Sequence, residues 1–351
     1  MQAARNKTLK WLLPACALLL MWLSFSAFVT AKKKAKAAFR VGFYNVENLF
    51  DWEDDSQTDD QQFLPESTLN WTKERFERKI KNLAKAIKTF SPDILGVCEI
   101  ENRKVLDYLL TKTELKKSGY SFIHYDSPDR RGIDLGLIYR KGHFHVTKTG
   151  SYAVIFPGDM SKPTRDILYV KGRTSEGSDL HVLVNHWPSR SGGAEATEYK
   201  RIIAAKTAKR LCDSIRFNDK EANIILLGDF NDYPENNSLS TELGAQADSG
   251  LRNANLYNLM GWKQKAGEGS YFYKNNWGFL DQIIVSESLL KNTNSLYTHF
   301  NKVQVVREKF LLSGKKHAVR GIPFSTYQRE TYQGGYSDHL PVFVDFYTNK
   351  R

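Results

Sequence analysis

Six apolar runs in this 351-residue sequence end beside an amide, a carboxylate or an imidazole that a buried strand does not need. FRVGFY is followed by Asn45 and Glu47, ILGVC by Glu99, HVLV by Asn185 and His186, and NIILLG by Asp229 and Asn231. FLDQIIVS holds Asp281, and Asp338 and His339 stand just before the last run. One such residue is more often a turn residue than part of a site. Recurrence changes the weighing: if neighbouring strands end at one edge, these groups converge there.

Glu99 and Asn45 offer hard oxygen ligands. With water completing the shell they suit Mg2+ or Mn2+, and by chemistry Ca2+ as a further candidate, rather than a thiolate-preferring metal. An ion held this way neutralises a phosphoryl oxygen and a leaving oxygen. Asp229 is placed to orient or deprotonate water, and Asn231 to hold a phosphate. Asp338 beside His339 would set the ring's tautomer and favour its cation. His186 adds a second imidazole donor. Such a set suits in-line attack of water on a phosphate ester.

The elements that must position these groups are short Val/Ile/Leu-rich runs bounded by Gly, Pro, Asp or Asn. Nine read as strands: FRVGFYN, DILGVCE, YSFIHYD, IDLGLIYR, DILYVKG, LHVLVNH, NIILLGDF, FLDQIIVS and LPVFVDFY. From Thr72 to Phe90 the spacing of Phe76, Ile80, Leu83 and Ile87 predicts a helix with one apolar stripe, its Lys/Arg face solvated. Further helices are predicted over 195–216, with Ile202, Ile203 and Leu211 buried, and near 102–117. Strands with few intervening helices suggest an α+β sandwich of two packed sheets covered by helices, a pattern that alone does not separate it from other mixed folds. The loop DWEDDSQTDD carries six carboxylates. It lacks the glycine and spacing of a calcium loop and reads as solvated.

Composition sets the bounds. Apolar residues make up 41% and aromatics 13%, enough for a large core. The net charge of +12 inclines the protein toward anionic partners such as nucleic acid, phosphate esters or acidic lipid. Residues 1–31 combine a basic start, the apolar stretch Trp11–Val29 and a small-residue exit near Ala31, the pattern of a secretory signal peptide. The stretch is also just long enough to span a bilayer, which keeps an uncleaved inner-membrane anchor open. Residues 32–38 read as a basic linker, and 39–351 as one catalytic domain, exported to the periplasm or beyond. Beyond the signal, Cys98 and Cys212 read as buried thiols, with one disulfide between them left open.

NVENLFD, GVCEIEN, VNHWPSR, LLGDFND, FLDQIIVS and YSDHLPV occur in the order seen in the endonuclease/exonuclease/phosphatase superfamily. That is the family of deoxyribonuclease I, exonuclease III-type repair enzymes, inositol polyphosphate 5-phosphatases and neutral sphingomyelinases. The chain resembles it from about Phe39 to Tyr347. The resemblance implies a four-layer α/β sandwich of two mostly antiparallel sheets flanked by helices. It implies Glu99 as principal metal ligand with Asn45 adjoining, and Asp338 as a metal ligand or a group supporting one. Glu47 stands where many members carry an Asp or other polar residue near the metal. Asp229 and Asn231 look like the water-activating and phosphate-orienting pair. His339 looks like the phosphate-contacting imidazole, oriented by Asp281. His186 resembles the second catalytic histidine of the deoxyribonuclease I and sphingomyelinase branches. Arg131, in a stretch similar to the family's RGxD, and Arg190 and Asn185 beside His186 are candidate substrate contacts. Trp187 and Trp277 either stack bases or pack.

Three functions remain open on these residues. The first is an exported phosphodiesterase acting on DNA or RNA. The second is a phosphatase or phospholipase C-type enzyme on inositol phosphate or sphingomyelin-like substrates. The third is an inactive binding protein on the same fold. No stable protein partner is evident from the sequence.

Overall fold

Alternating side chains give each apolar run two faces to bury, and the protein buries both. A computed structural model describes residues 37–158, 163–248, 254–314 and 320–349, so the predicted signal and residues 32–36 of the linker lie outside the described residues. Eight strands follow in order: β1 Phe39–Leu49, β2 Ile94–Ile100, β3 Tyr120–Tyr125, β4 Asp134–Arg140, β5 Phe144–Tyr152, β6 Ile167–Thr174, β7 Asp179–His186 and β8 Ile224–Asp229. Two further long strands, Asp281–Ser286 and Val342–Thr348, complete the core of the sheets. One sheet runs Val342–Thr348, β1, β2, β4, β3, and the other β5, β6, β7, β8, Asp281–Ser286, with short strands adding to both. Each mixes antiparallel pairs with one parallel pair among these strands, β1–β2 in the first and β7–β8 in the second.

The inner faces meet in one apolar layer. Val41, Phe43, Ile94 and Cys98 of the first sheet pack with Val182, Val184, Ile225, Leu227, Ile283 and Val285 of the second. Gly96 lets them approach: a Cβ there would lie 3.2 Å from Phe43 and from Val184. The outer face of the first sheet is covered by the helices Lys73–Phe90 and Arg103–Thr111, and that of the second by the helix Glu198–Asn218. The result is the predicted four-layer α+β sandwich.

All nine anticipated strands form. The reading of apolar runs does not pick out β5, an edge strand whose Lys148 and Ser151 face solvent and which buries Phe144 fully. The Lys73–Phe90 helix begins where expected, with the Thr72 hydroxyl accepting from the Arg75 N–H. The 198–218 helix differs in its contacts. Ile202, Ile203 and Leu211 are only partly covered, and Ala204, Ala205, Ala208 and Cys212 form the buried face. Small residues let this helix lie close to the sheet, which leaves its larger apolar side chains at the margins, while Arg201 near its start is buried. Cys98 and Cys212 are both buried and unpaired, one between the sheets and the other under the helix. In the acidic loop Asp51 and Asp60 turn inward while residues 53–57 are exposed. No helix among the described residues is long and apolar enough to cross a membrane.

Candidate active site

Counting outward from the core residues locates the site. Side chains two apart on a strand share a face. Val41 and Phe43 face the inter-sheet core, so Asn45 emerges on the same side. Val182 and Val184 do the same for His186, Ile225 and Leu227 for Asp229, and Ile283 and Val285 for Asp281. Strand register brings the ends level: Asp229 pairs with His186 on one side and with Asp281 on the other. Four polar side chains therefore meet at one end of the apolar layer.

Glu99 reaches this mouth by breaking the alternation. Leu95 and Val97 face the outer helices, and strict alternation would send Glu99 there too. Cys98 pairs with Leu135 and Ile100 with Asp134, which leaves Glu99 as an extra residue in β2. That bulge resets the phase and holds Glu99 at φ 63°, in the left-handed region. Ile100 then joins the outer core, and Glu99 turns inward.

The groups lock together. Asn45 Nδ2 donates to Glu99 Oε1 and to Asp229 Oδ2, each at 3.1 Å. The N–H of Asn48 donates to Glu99 Oε2 at 2.8 Å, and that of Asn231 to Asp229 Oδ1 at 2.9 Å. His186 Nε2 lies 3.9 Å from both Glu99 Oε1 and Asp229 Oδ2, and His339 Nε2 lies 3.9 Å from Asp229 Oδ2 on another side. His339 Nδ1 meets Asp281 Oδ2 at 2.6 Å, and Ser270 Oγ donates to the same oxygen at 2.5 Å. The partner that sets the His339 tautomer is thus Asp281. Adjacent Asp338 makes no hydrogen bond among the described residues.

The two imidazoles differ electrically. Burial pulls both toward neutrality. Around His339 the carboxylates of Asp281, Asp338 and Asp229 overcome it and hold the ring as a cation, well above the ordinary histidine range. Around His186 the cations of Arg165, Arg131 and His339 add to burial, so the ring is neutral. Burial pushes Asp229 up to about 6 against the pull of His339, with Asp281 and Glu99 contributing. Asp338 is raised to about 7, first by burial and then by Glu47 and Glu99, against His339 and Lys79.

Other predicted residues serve the protein. Asn185 falls on the opposite face of β7, where it bonds Trp187 Nε1 and the carbonyls of Leu183 and Leu227. Arg190 donates to Asn231 O, Asp232 Oδ1 and Asn236 Oδ1, clamping the GDFND turn from behind. Asn231 Nδ2 donates to Trp187 O. Trp187 packs edge-on against Phe230 and is fully buried. Trp277 is partly buried against the outer core, with Arg307 over its ring. Glu47 faces Lys79 and the backbone of Thr326 and Tyr327. Arg131 is 44% exposed on the rim, close enough to act on His186.

Sequence reasoning missed Arg165, Ser270 and Tyr271. Arg165 is buried, pairs with Asp129 at 2.8 Å and donates to Trp187 O. Tyr271 stacks on His339 at 4.6 Å. Arg165 stands just before β6, which runs antiparallel to β7, so the start of β6 lies beside the end of β7. Inspecting strand starts as well as strand ends would have found it.

The sequence model of one family, described as endonuclease/exonuclease/phosphatase, matches residues 40–348. The chain belongs to that family. It is therefore a metal-dependent phosphoric ester hydrolase. No curated protein sequence matches it. Among solved structures it is similar in fold to an endonuclease/exonuclease/phosphatase family protein of Bacteroides thetaiotaomicron, with TM-score 0.58, 16% identity and coverage of 91% of this chain and 100% of that one. It is also similar to D. rerio TDP2 complexed with a single-strand DNA product (0.54, 14%, 88% and 99%). A mannosyl-6-phosphatase of B. thetaiotaomicron is a third such structure (0.55, 16%, 88% and 99%).

The donors present in this family member fit a hard divalent ion. Asp229, Asp281 and His339 place donor atoms within 4.8 Å of one another, but His339 and Asp281 are committed to their mutual bond. Glu99 and Asp338 leave an oxygen side with excess negative charge, whereas Asn45, expected to offer an oxygen ligand, turns Nδ2 toward Glu99 and gives Oδ1 to the Glu47 N–H. Thiolate is absent there: the Cys98 thiol is buried between the sheets. Oxygen donors of this kind select Mg2+, Mn2+ or Ca2+.

Proposed function

We propose that the protein is a Mg2+- or Mn2+-dependent phosphodiesterase that hydrolyses nucleic acid outside the cytoplasm. The observation that carries this reading is the pair of buried imidazoles, each with Nε2 3.9 Å from Asp229 Oδ2. Glu99 and Asp338 would hold the ion, with Asn45 Nδ2 orienting Glu99, and the ion when bound neutralises charge on the phosphate. Asp229 orients the attacking water and takes its proton, its carboxyl tuned to about 6 for that role. His339, kept protonated by Asp281, donates Nε2–H to a phosphoryl oxygen as charge builds there. His186 donates a neutral hydrogen bond to another. Arg131 on the rim adds a cation for the flanking phosphate.

Net charge of +12 and residues 1–31 support an exported enzyme with an anionic substrate. The structural similarity to TDP2 with a DNA product supports nucleic acid. The similarity to a mannosyl-6-phosphatase keeps a phosphomonoesterase as the second reading.

Mature protein from residue 32 is assayed with Mn2+ or EDTA on plasmid DNA, single-stranded RNA, bis-p-nitrophenyl phosphate, sphingomyelin, an inositol polyphosphate and a hexose 6-phosphate. The expected result is cleavage of nucleic acid, abolished by EDTA and by Glu99→Ala. Turnover confined to the monoesters or the lipid would overturn the nuclease reading. N-terminal sequencing of protein exported by a bacterial host tests the signal, with cleavage expected near Ala31.

A further inference from the structure

Glu47 spends both carboxylate oxygens on the protein. Oε2 accepts the Thr326 N–H at 2.7 Å and Oε1 the Tyr327 N–H at 3.3 Å. The ammonium of Lys79 lies 3.8 Å from Oε2 and also donates to Thr326 Oγ1. Lys79 is 1% exposed, whereas Lys73, Lys81, Lys85 and Lys88 of the same helix face solvent. A buried ammonium requires a counter-charge, and Glu47 is the carboxylate that contacts it.

This ion pair sits behind the catalytic groups and touches both sides of them. The backbone N–H of Glu47, a residue held at φ 53°, donates to Asn45 Oδ1 at 2.9 Å. That bond turns Asn45 Nδ2 toward Glu99 and Asp229. On the other side, Thr326 begins the hairpin that returns through Gly335 and Tyr336, whose N–H groups bond Ser325 O and Phe324 O. The next residue, Ser337, donates its hydroxyl to Asn45 O at 2.7 Å and accepts the His339 N–H at 3.0 Å.

We propose that Lys79 and Glu47 form a charged lock that fixes Asn45 and the Ser337–His339 segment in register, and that Glu47 is a positioning residue rather than a metal ligand. Ligation by Glu47 would place a second cation on a carboxylate that already accepts the Thr326 and Tyr327 amides and faces the buried ammonium. The catalytic half of this inference rests on the phosphodiesterase reading, and the metal half does not.

The test uses Glu47→Gln, Lys79→Met, Lys79→Arg and the double variant Glu47→Gln/Lys79→Met in the mature protein, with folding checked by circular dichroism. Mn2+ binding is read by calorimetry or electron paramagnetic resonance without substrate. Turnover is read on bis-p-nitrophenyl phosphate at saturating Mn2+. Expected for Glu47→Gln is unchanged Mn2+ affinity with kcat lowered about 10- to 100-fold, the usual effect of removing a group that orients others at a metal site. Lys79→Met should match it, Lys79→Arg should recover most of the loss, and the double variant should be no worse than either single change. Mn2+ affinity weakened by about tenfold or more in Glu47→Gln, with kcat kept, would make Glu47 a ligand and overturn the proposal. Unchanged kcat, or losses that multiply in the double variant, would overturn the lock. If Lys79→Met does not fold, the two Glu47→Gln readings still decide. Wild-type protein that binds Mn2+ but cleaves no phosphodiester would remove the proposed function and leave the metal reading standing.

Discussion

His339 Nδ1 and Asp281 Oδ2 lie 2.6 Å apart although the residues are 58 positions apart in the chain. The bond fixes which ring nitrogen faces Asp229 and keeps the ring charged in a buried place. Asp281→Asn removes the charge and keeps the shape. It should lower kcat by as much as about 10⁴-fold, the scale seen when an orienting carboxylate is lost from an imidazole. The sign for pH follows from the raised affinity of His339 for its proton. Without Asp281 the ring loses that proton at lower pH, so the alkaline limb of the rate profile should move toward neutrality. A limb left in place would show that another group sets it.

The two histidines should answer differently to the same substitution. His186 is neutral, so glutamine, a neutral donor, replaces part of what it does. His339 acts as a cation, which glutamine cannot mimic. His186→Gln is expected to retain clearly more activity than His186→Ala, whereas His339→Gln and His339→Ala should both lose about 10²–10³-fold or more. Steady-state kinetics on one phosphodiester compares the four. Equal losses in the two His186 variants would contradict a neutral donor role.

Arg165 and Asp129 form a 2.8 Å pair in which both side chains are over 90% buried. Arg165→Met takes from Asp129 its buried partner, leaving it only the half-exposed Arg131 at 3.4 Å, and removes the donor to Trp187 O. A loss of about 3–5 kcal/mol is expected on urea unfolding. Arg165→Met/Asp129→Leu, which removes both charges, should recover a substantial part of it.

His181 provides a pH test away from the site. Burial, aided by Lys171, lowers it to about 4, and its Nδ1 lies 2.9 Å from the Tyr169 hydroxyl. An unfolded histidine takes its proton near pH 6.5. Between those values the unfolded chain binds more protons, so the His181 contribution to stability is whole above about 6.5 and falls as pH drops toward about 4. Thermal unfolding from pH 4.5 to 7 should show a shallower acid decline in His181→Gln. Parallel curves would assign the decline to other groups.

Much of the site follows from residue parity alone. Val182 and Val184 commit His186 to the inner face, Ile225 and Leu227 commit Asp229, and Ile283 and Val285 commit Asp281, because alternation along a strand is a property of the local backbone. The same parity sends Asn185 to the other face, where it bonds Trp187. The ten polar positions are legible in the sequence for this reason, since short-range patterning marks both the strands and their ends, while the family and its four-layer architecture rest on the resemblance of the motifs at those ends.

Tertiary structure decided the rest. Only the pairing of β2 with β4 reveals the bulge that turns Glu99 inward. Only packing shows that His339 takes Asp281 rather than its neighbour Asp338, that Arg190 braces the GDFND turn, and that Lys79, one lysine among several on its helix, is buried against Glu47. These choices depend on contacts between residues far apart in the chain, and no periodicity within a single strand or helix encodes them.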